Sequence, residues 1–383
     1  MHRFFENFYD WWKNIDKFIL FLISVLFFLG LFFSLVSTSL IASDKLDTNS
    51  YYFFIKHLIF IVLGALILFF LSILKEDILI KISLILFFIT LVFLLMVPFV
   101  GIEVKGSKRW LDLGVLPRFQ PVELLKPYFI VFVSIMLCLN KNIFYKYLLS
   151  GIVLLPVILL LISQPDLGQT LLITMVWLTL IFVSGINIYL FFLFFIFTIS
   201  ISTYLIFFVS KFEYIKIRLL SFLNTSSGNN YQADRASDAI SGGGFFGRGI
   251  GEGTLNSKVP EAHTDYIISV ISEEFGAIIV ILIMILYLVF SYNVIKKINN
   301  TISEKNKLIL IGCVTLILLQ TFVHVGVNIR LLPTTGMTLP FLSYGGSSII
   351  STALVSGIIL NLTKRRLSEA VSYTHLTLPT TKQ

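Results

Sequence analysis

Residues 167–210 read LGQTLLITMVWLTLIFVSGINIYLFFLFFIFTISISTYLIFFVS, a run of 44 residues without a charged side chain. A helix of about 20 apolar residues crosses the hydrocarbon core of a bilayer, so this run is long enough for two membrane-spanning helices. Gly185-Ile186-Asn187 offers a turn between them, because glycine and asparagine favour turns. The run therefore predicts a helical hairpin in a membrane.

The composition of the whole chain has the same character. Its 383 residues are 57% apolar and 13% charged, whereas soluble domains carry about a quarter charged residues. Too few charges are present to cover a water-facing surface, which excludes a soluble enzyme, a disordered protein and a disulfide scaffold. The net charge of +8 comes from Lys and Arg between apolar runs, where they orient membrane spans. We therefore expect no nucleic-acid partner.

The uncharged stretches predict ten transmembrane helices in all. They are 18–43, 57–74, 82–102, 147–165, 167–210 (two helices), 275–295, 308–329 and the end of 331–363. The segment 127–140 can span only if its helix begins near Val122 and includes Glu123 and Lys126. The predicted fold class is an all-α polytopic membrane protein with a large extracytoplasmic loop, 211–264, between helices 7 and 8.

An even number of spans places both ends of the chain on the same side. With Lys382 set aside, each side carries 14 Lys and Arg. On the opposite side, however, 11 of them lie in the segments 105–126 and 211–258, of which the second is long enough for its charges to count little. Outside these segments the opposite side keeps three. Positive charge is enriched in cytoplasmic loops, so we expect both ends in the cytoplasm. The predicted organisation is an interfacial N-terminal segment (1–17), a membrane domain (18–366) and a tail (367–383). Within the tail, 371–381 resemble an in-frame translation of a sequencing adapter and are left out of the functional reasoning.

Polar side chains cluster in four segments, all predicted to face the extracytoplasmic side. In the first, Glu123 and Lys126 are three residues apart and can pair on one helix face. This pair either anchors the helix end or belongs, with Lys108 and Arg109, to a cationic site for a phosphate group. In the second, Asp166 stands between Pro165 and the next helix, which favours a helix cap.

The third segment is glycine-rich and leads into a helix. Gly242–Gly247 formally matches G-x-G-x-x-G, but no strand precedes it, so a dinucleotide site is excluded. The glycines instead indicate close approach of the backbone to a ligand or a neighbouring helix. Further on, one helix face is predicted to carry a polar stripe that lines a cavity, since it would be costly against lipid: Asp265, Ser269, Ser272, Glu273 and Gly276.

The fourth segment, 332–348, contains two prolines and three glycines inside an uncharged run. Irregular backbone at membrane depth is tolerated only against protein or a polar cavity.

His263 and His324 have no Cys or second His nearby, so no zinc-type site is predicted. We expect His324 to be a hydrogen-bonded packing residue.

Together these segments resemble the SEDS family (shape, elongation, division and sporulation), which includes FtsW, RodA and SpoVE, and most resemble division-type FtsW. The resemblance covers Phe18 to Arg366, with one departure at Val122, where family members usually have serine. Five motifs carry it: Gly106-Ser-Lys-Arg-Trp-Leu111, Gln120-Pro-Val-Glu-Leu-Leu-Lys126, Gln164-Pro-Asp-Leu-Gly168, Pro260-Glu-Ala-His-Thr-Asp265 and Leu339-Pro-Phe-Leu-Ser-Tyr-Gly-Gly-Ser-Ser348.

The resemblance implies a peptidoglycan glycosyltransferase in the bacterial cytoplasmic membrane, active in septal wall synthesis. It would polymerise lipid II on the outer face of that membrane and release undecaprenyl diphosphate. It implies Asp265 as the catalytic residue and Lys108, Arg109, Glu123, Lys126 and Asp166 as substrate-binding. To the substrate-binding set we add candidates from the neighbouring polar segments: Lys258, Glu261, His263, Glu273, Ser343 and Tyr344.

In the mechanism we expect, Asp265 is the base for the acceptor 4-hydroxyl, and Lys108, Arg109 and Lys126 neutralise the departing diphosphate. A divalent cation, Mg²⁺ or Mn²⁺, could share that task, although no ligand set indicates one. The implied partners are a class B penicillin-binding protein transpeptidase and other membrane proteins of the division complex.

Three other functions remain open at the level of sequence. They are a RodA-type elongation polymerase, a lipid II flippase and a non-catalytic scaffold of the division complex. Transporters often contain internal repeats with broken helices in matching positions. This sequence shows no such symmetry, which favours a polymerase.

Overall fold

The computed structural model describes residues 2–39, 51–104, 106–114, 117–139, 143–209, 212–223, 231–253, 262–299 and 301–364. Within these ranges the chain forms thirteen helices and one short antiparallel hairpin. The helices are α1 (His2–Asn14), α2 (Lys17–Ser39), α3 (Tyr52–Ile73), α4 (Glu76–Val100), α5 (Pro121–Leu137), α6 (Ile143–Ser163), α7 (Leu167–Val183), α8 (Ile188–Phe208), α9 (Glu213–Leu223), α10 (Tyr231–Gly243), α11 (Ile267–Ile298), α12 (Glu304–Asn328) and α13 (Gly346–Leu362). The hairpin strands are β1 (Ile102–Val104) and β2 (Ser107–Trp110).

Ten of these helices, α2–α8 and α11–α13, lie where the ten spans are predicted. Seven of them are long and apolar enough to cross a membrane: α2, α3, α4, α6, α8, α11 and α12. The remaining three, α5, α7 and α13, each have 17 residues. The all-α class is therefore confirmed, and the count of ten spans stays a prediction.

Helix α5 lies at the centre of the bundle. It packs against α4, α6, α7, α12 and α13, and most of its residues are buried. Pro121 occupies its first turn, where a missing backbone N–H leaves no hydrogen bond unmade. The helix includes Glu123 and Lys126, as predicted. Because protein surrounds it, neither charge faces lipid, which is how a span can accommodate them.

Helix α8, in contrast to α5, lies on the edge of the bundle. It packs mainly against α7 and α9, and large apolar side chains such as Phe192 and Phe197 are exposed along it. Apolar side chains in such a position are suited to contact with lipid.

The N-terminal segment forms helix α1, which docks on the bundle. The Trp11 indole Nε1 donates a hydrogen bond to Ser72 Oγ at 2.8 Å, and its ring meets Phe69 edge-on. Just beyond α1, Asp16 pairs with Lys297 at the end of α11, with 2.6 Å between Oδ2 and Nζ. Partial burial raises the pKa of Asp16, but hydrogen bonds from Lys297 and Ile19 outweigh it, so this pKa lies below its usual value.

The described residues of the segment 211–264 include helices α9 and α10. Of these, α10 packs along α11, and the glycine-rich segment that begins in its last turn, 242–249, runs beside a kink in α11. The kink is at Gly276, whose φ is +84°. A Cβ atom on Gly243 would collide with the Ser272 carbonyl oxygen, and one on Gly276 with that of Phe245. The glycines thus permit contact with a neighbouring helix, which confirms one of the two predicted alternatives.

Candidate active site

Asp265 lies in a turn directly before α11, which begins at Ile267. The sequence predicts this residue within the helix, so that prediction is wrong by two positions. Three successive carbonyl oxygens of the turn accept hydrogen bonds from elsewhere. The Tyr344 N–H donates to His263 O at 3.0 Å, the Ser343 hydroxyl donates to Thr264 O at 2.6 Å, and Asn328 Nδ2 donates to Asp265 O at 3.2 Å. The backbone around the carboxylate is therefore fixed on several sides.

The 332–345 loop, between α12 and α13, lies directly against the Asp265 carboxylate. A Cβ atom on Gly336 would stand 3.4 Å from Asp265 Oδ2, and Gly336 itself has a φ of +68°. Ser343 also makes a hydrogen bond within the loop, because its hydroxyl accepts from the Leu339 N–H at 2.9 Å. Glycine at 336 therefore both allows the turn and leaves room beside the carboxylate.

A chain of buried polar side chains connects α7, α5 and α12. It begins at Asp166, the N-cap of α7, whose Oδ1 accepts from the Gln169 N–H, and this confirms the predicted cap. Gln169 Nε2 then donates to Glu123 Oε1 at 2.6 Å. Glu123 Oε2 is 2.8 Å from Lys126 Nζ, which confirms the predicted ion pair. Lys126 Nζ in turn donates to Gln320 Oε1 at 3.1 Å.

This polar chain reaches the loop beside Asp265. Gln320 Nε2 donates to Thr338 O at 2.9 Å, and a Cβ atom on Gly168 would touch Thr335 and Met337. The exposed fraction of Lys126 is 1% and that of Glu123 is 4%. Each charge is hydrogen-bonded as well as paired, as buried charges require.

The two cations of strand β2, Lys108 and Arg109, differ in their surroundings. Lys108 is exposed on β2, opposite Glu103. Arg109 is half-buried and reaches the turn before α7, where its Nε donates to Gln164 O at 3.1 Å and its Nη2 to Pro165 O. Its Nη1 also lies 4.0 Å from Asp166 Oδ1. Arg109 thus holds this turn in place, and Lys108 is open to solvent.

His263 and Tyr344 are brought together beside the same turn. Their ring centroids are 5.8 Å apart, and Phe53 of α3 packs on both of them. Behind them lies His57 of α3, with its ring centroid 5.8 Å from that of Tyr344. An aromatic wall therefore borders the turn that carries Asp265.

Glu273 is brought to a different partner. It is fully buried, and its Oε1 lies 3.7 Å from Nη1 of Arg248 in the glycine-rich segment. Ser269 and Ser272 are buried on the same helix. For Ser269, Ser272 and Glu273 the prediction of a cavity-lining stripe is therefore wrong, because these side chains are buried against protein. Lys258 and Glu261 lie outside the described residues.

The family model described as "Cell cycle protein", which groups FtsW, RodA and SpoVE, matches residues 16–367. This chain belongs to the FtsW/RodA/SpoVE family. The probable peptidoglycan glycosyltransferase FtsW of Caulobacter vibrioides is 30% identical over 369 residues, which cover 93% of this chain and 91% of the relative. The FtsW of Coxiella burnetii is 32% identical over 339 residues, covering 85% and 90%.

Solved structures of the FtsW/RodA/SpoVE family have the same fold. A chain of a peptidoglycan synthase complex, described in terms of the coordination of polymerization and crosslinking, is 26% identical and superposes with a TM-score of 0.75 over 91% of this chain and 97% of that one. The rod shape determining protein RodA of Thermus thermophilus is 25% identical, with a TM-score of 0.66 over 92% and 97%. The polytopic membrane fold is thereby established for this family member.

Sequence reasoning missed four polar residues of this family member that hold the site together: Gln120, Gln169, Gln320 and Asn328. Gln120 Nε2 donates to Asp166 Oδ2 at 2.9 Å. The sequence contains a pattern that could have identified the missed residues of α12. Gln320, His324 and Asn328 recur every fourth residue and so share one face of an otherwise apolar helix. His324 Nδ1 bonds Met337 O at 2.7 Å, which confirms its predicted role as a hydrogen-bonded packing residue.

Among the described residues, no three His, Cys, Asp or Glu side chains come together in a group that could hold a metal ion.

Proposed function

We propose that this protein is a peptidoglycan glycosyltransferase of the FtsW type that polymerises lipid II into glycan strands. Family membership and relatives named as probable peptidoglycan glycosyltransferases support the activity. The observation that carries the proposal is the position of the Asp265 carboxylate. The carboxylate stands beside Gly336, which belongs to the 332–345 loop. Other contacts of that loop lead to the buried ion pair of Glu123 and Lys126.

The reaction requires a base and a leaving group. The Asp265 carboxylate accepts the proton of the acceptor sugar's 4-hydroxyl as that oxygen attacks C1 of the donor sugar. The bond between C1 and the diphosphate oxygen breaks, and the electron pair leaves with undecaprenyl diphosphate. Asp265 then loses its proton to solvent before the next addition. The fixed carbonyls of residues 263–265 hold the carboxylate in place for this transfer.

The leaving diphosphate needs positive charge near it. Lys108 is exposed on β2 and is suited to meet the diphosphate directly. Arg109 and Lys126 are engaged with Asp166 and Glu123 respectively, so in this conformation they neutralise those carboxylates, and Arg109 also keeps the turn before α7 fixed. His263, Ser343 and Tyr344 shape the wall and backbone beside Asp265.

A divalent cation is not assigned a step, because the described residues offer no ligand set for one. Where Mg²⁺ or Mn²⁺ takes part, we propose that the diphosphate of the substrate supplies its ligands.

We further propose that the site opens on the extracytoplasmic side, that both chain ends are cytoplasmic, and that the protein acts at the division septum with a class B penicillin-binding protein transpeptidase. The match to a chain of a peptidoglycan synthase complex supports a transpeptidase partner.

Purified protein in liposomes with fluorescent lipid II tests the activity, alone and with the co-purified transpeptidase. We expect ladders of glycan strands on a gel, and the same ladders to be absent when lipid II is omitted. Movement of lipid II across the bilayer without any polymer would support the flippase instead. Absence of both activities, with and without the partner, would support a scaffold.

A further inference from the structure

Helix α12 carries three buried polar side chains at intervals of four residues: Gln320, His324 and Asn328. Their exposed fractions are 4%, 1% and 0%. Each side chain bonds a backbone carbonyl outside α12. Gln320 reaches Thr338 O at 2.9 Å, His324 reaches Met337 O at 2.7 Å and Asn328 reaches Asp265 O at 3.2 Å. Because the carbonyl oxygen of Met337 only accepts, His324 Nδ1 carries the proton.

These three contacts act on the two segments that must be aligned for the reaction. Two of them fix consecutive peptides, 337 and 338, next to Gly336, and the third fixes the peptide of Asp265 itself. Helix α12 is a straight rigid element over this length, about 12 Å for eight residues. It therefore sets the distance between the 332–345 loop and the carboxylate.

Gln320 has a second contact that links the stripe to the ion pair. Its Oε1 accepts from Lys126 Nζ at 3.1 Å while its Nε2 donates to Thr338 O. A polar side chain in an apolar helix is costly unless its hydrogen bonds are made. Of the three, Asn328 also bonds the backbone of α12, through Nδ2 to His324 O at 2.8 Å. Within the described residues, the hydrogen bonds of Gln320 and His324 run to other segments. The stripe therefore serves the segments that it contacts.

We propose that Gln320, His324 and Asn328 are positioning residues that align the Asp265 carboxylate with the 332–345 loop during glycosyl transfer. This inference rests on the proposed function of Asp265 as the base. None of the three contacts the substrate in this assignment; each acts through a backbone peptide. Misplacement of a catalytic group by about 1 Å can lower a rate by about 100-fold.

The central test compares His324→Leu with His324→Asn. Leucine removes the hydrogen bond to Met337 O, whereas the asparagine amide can donate from nearly the position of Nδ1. We expect His324→Leu to lower kcat for lipid II polymerisation by about 100-fold with little change in KM, and His324→Asn to recover most of the rate. Gln320→Met and Asn328→Leu should behave like His324→Leu, so the test survives if one variant does not fold.

Thr321→Val is the matched control on the same helix. Thr321 is 5% exposed, and its hydroxyl makes no hydrogen bond within the described part of the chain. We expect wild-type kcat for this variant. Hydrogen exchange measured by mass spectrometry gives a second readout. Amides in 262–266 and 337–344 should exchange faster in His324→Leu and remain as in the wild type in Thr321→Val.

The proposal is overturned if Thr321→Val loses as much activity as His324→Leu, or if His324→Leu loses activity with no change in exchange at the two segments. It is also overturned if His324→Asn is as inactive as His324→Leu while folded. Failure of the proposed function would give a different result, because Asp265→Asn would then keep its activity. The exchange measurement would still decide whether Gln320, His324 and Asn328 hold the segments 262–266 and 337–344.

Discussion

The hydroxyl of Ser343 donates a hydrogen bond to the carbonyl oxygen of Thr264 over 2.6 Å, although the two residues are 79 positions apart in the chain. The same oxygen atom of Ser343 accepts from the Leu339 N–H at 2.9 Å. One side chain thus joins the turn before α11 to the loop before α13. Because Asp265 follows Thr264 directly, this bond fixes the backbone next to the carboxylate.

Replacement of that hydroxyl should therefore affect both rate and stability. Ser343→Ala leaves the Leu339 N–H without its acceptor, which costs about 1–3 kcal/mol when the group is buried. We expect a lower unfolding temperature and polymerisation slowed by about 10-fold or more. Ser356→Ala is the control, because Ser356 is fully buried and its hydroxyl has no partner within the described residues. Equal losses of polymerisation rate and unfolding temperature in the two variants would show that Ser343 has no specific role in the site.

Asp265→Asn tests the proposed base directly. The amide keeps the size of the side chain but cannot accept a proton from the acceptor hydroxyl. General base catalysis contributes about 100-fold to 10,000-fold, so we expect polymerisation to fall by at least about 100-fold in a protein that still folds. Asp238→Asn is the control for the chemistry of the change, since Asp238 is exposed on α10 and pairs there with Arg235. Normal glycan synthesis by Asp265→Asn would exclude it as the base.

The positions of the helices could be predicted because membrane thickness limits each span to a narrow range of lengths. The same requirement placed Glu123 and Lys126 inside α5, and their spacing of three predicted the pair seen at 2.8 Å. Asp166 could be predicted as a cap because its chemistry is local to α7. These predictions depend only on neighbours in the sequence.

The contacts that assemble the site could not be predicted in this way. Asn328 meets the carbonyl of Asp265, and Gln320 meets Lys126, only because α12 packs between α5 and α11. Helical spacing predicts Glu273 on the same helix face as Asp265, and in the structure Glu273 pairs with Arg248. Its partner was decided by the close approach of the glycine-rich segment, which hydrophobic periodicity does not encode.

The ion pair in α5 makes a prediction about stability. Removal of one partner from a buried pair leaves an uncompensated charge and costs about 3–5 kcal/mol. Lys126→Met should therefore lower the unfolding temperature strongly, and the double variant Glu123→Gln/Lys126→Met should recover much of that loss. Phe192→Ala on the exposed surface of α8 is the control and should change stability and activity little. Additive losses in the double variant would show that the two charges do not depend on each other.

Gly276 allows a prediction about the kink in α11, where both the backbone angles and the neighbouring backbone disfavour a side chain. Gly276 and Gly185 have the same φ, +84°, but their surroundings differ. A Cβ atom on Gly185 meets nothing within 4 Å, whereas one on Gly276 meets the carbonyl of Phe245 and the backbone nitrogen of Gly247.

Alanine at either position carries the strain of a positive φ, and at Gly276 the ψ of 170° adds to it, because this combination of angles is essentially confined to glycine. Gly276→Ala should therefore cost about 1–3 kcal/mol more than Gly185→Ala, and the added methyl group must also push the glycine-rich segment away from α11. The two variants are compared by thermal unfolding, with polymerisation measured on the protein that remains folded. Separation of the segment from α11 would also disturb the Arg248–Glu273 pair, so hydrogen exchange of the Arg248 and Gly249 amides, which bond Glu273 O and Glu274 O at 2.9 and 3.1 Å, should rise in Gly276→Ala. Equal stability of the two variants would mean that the close approach at the kink contributes nothing.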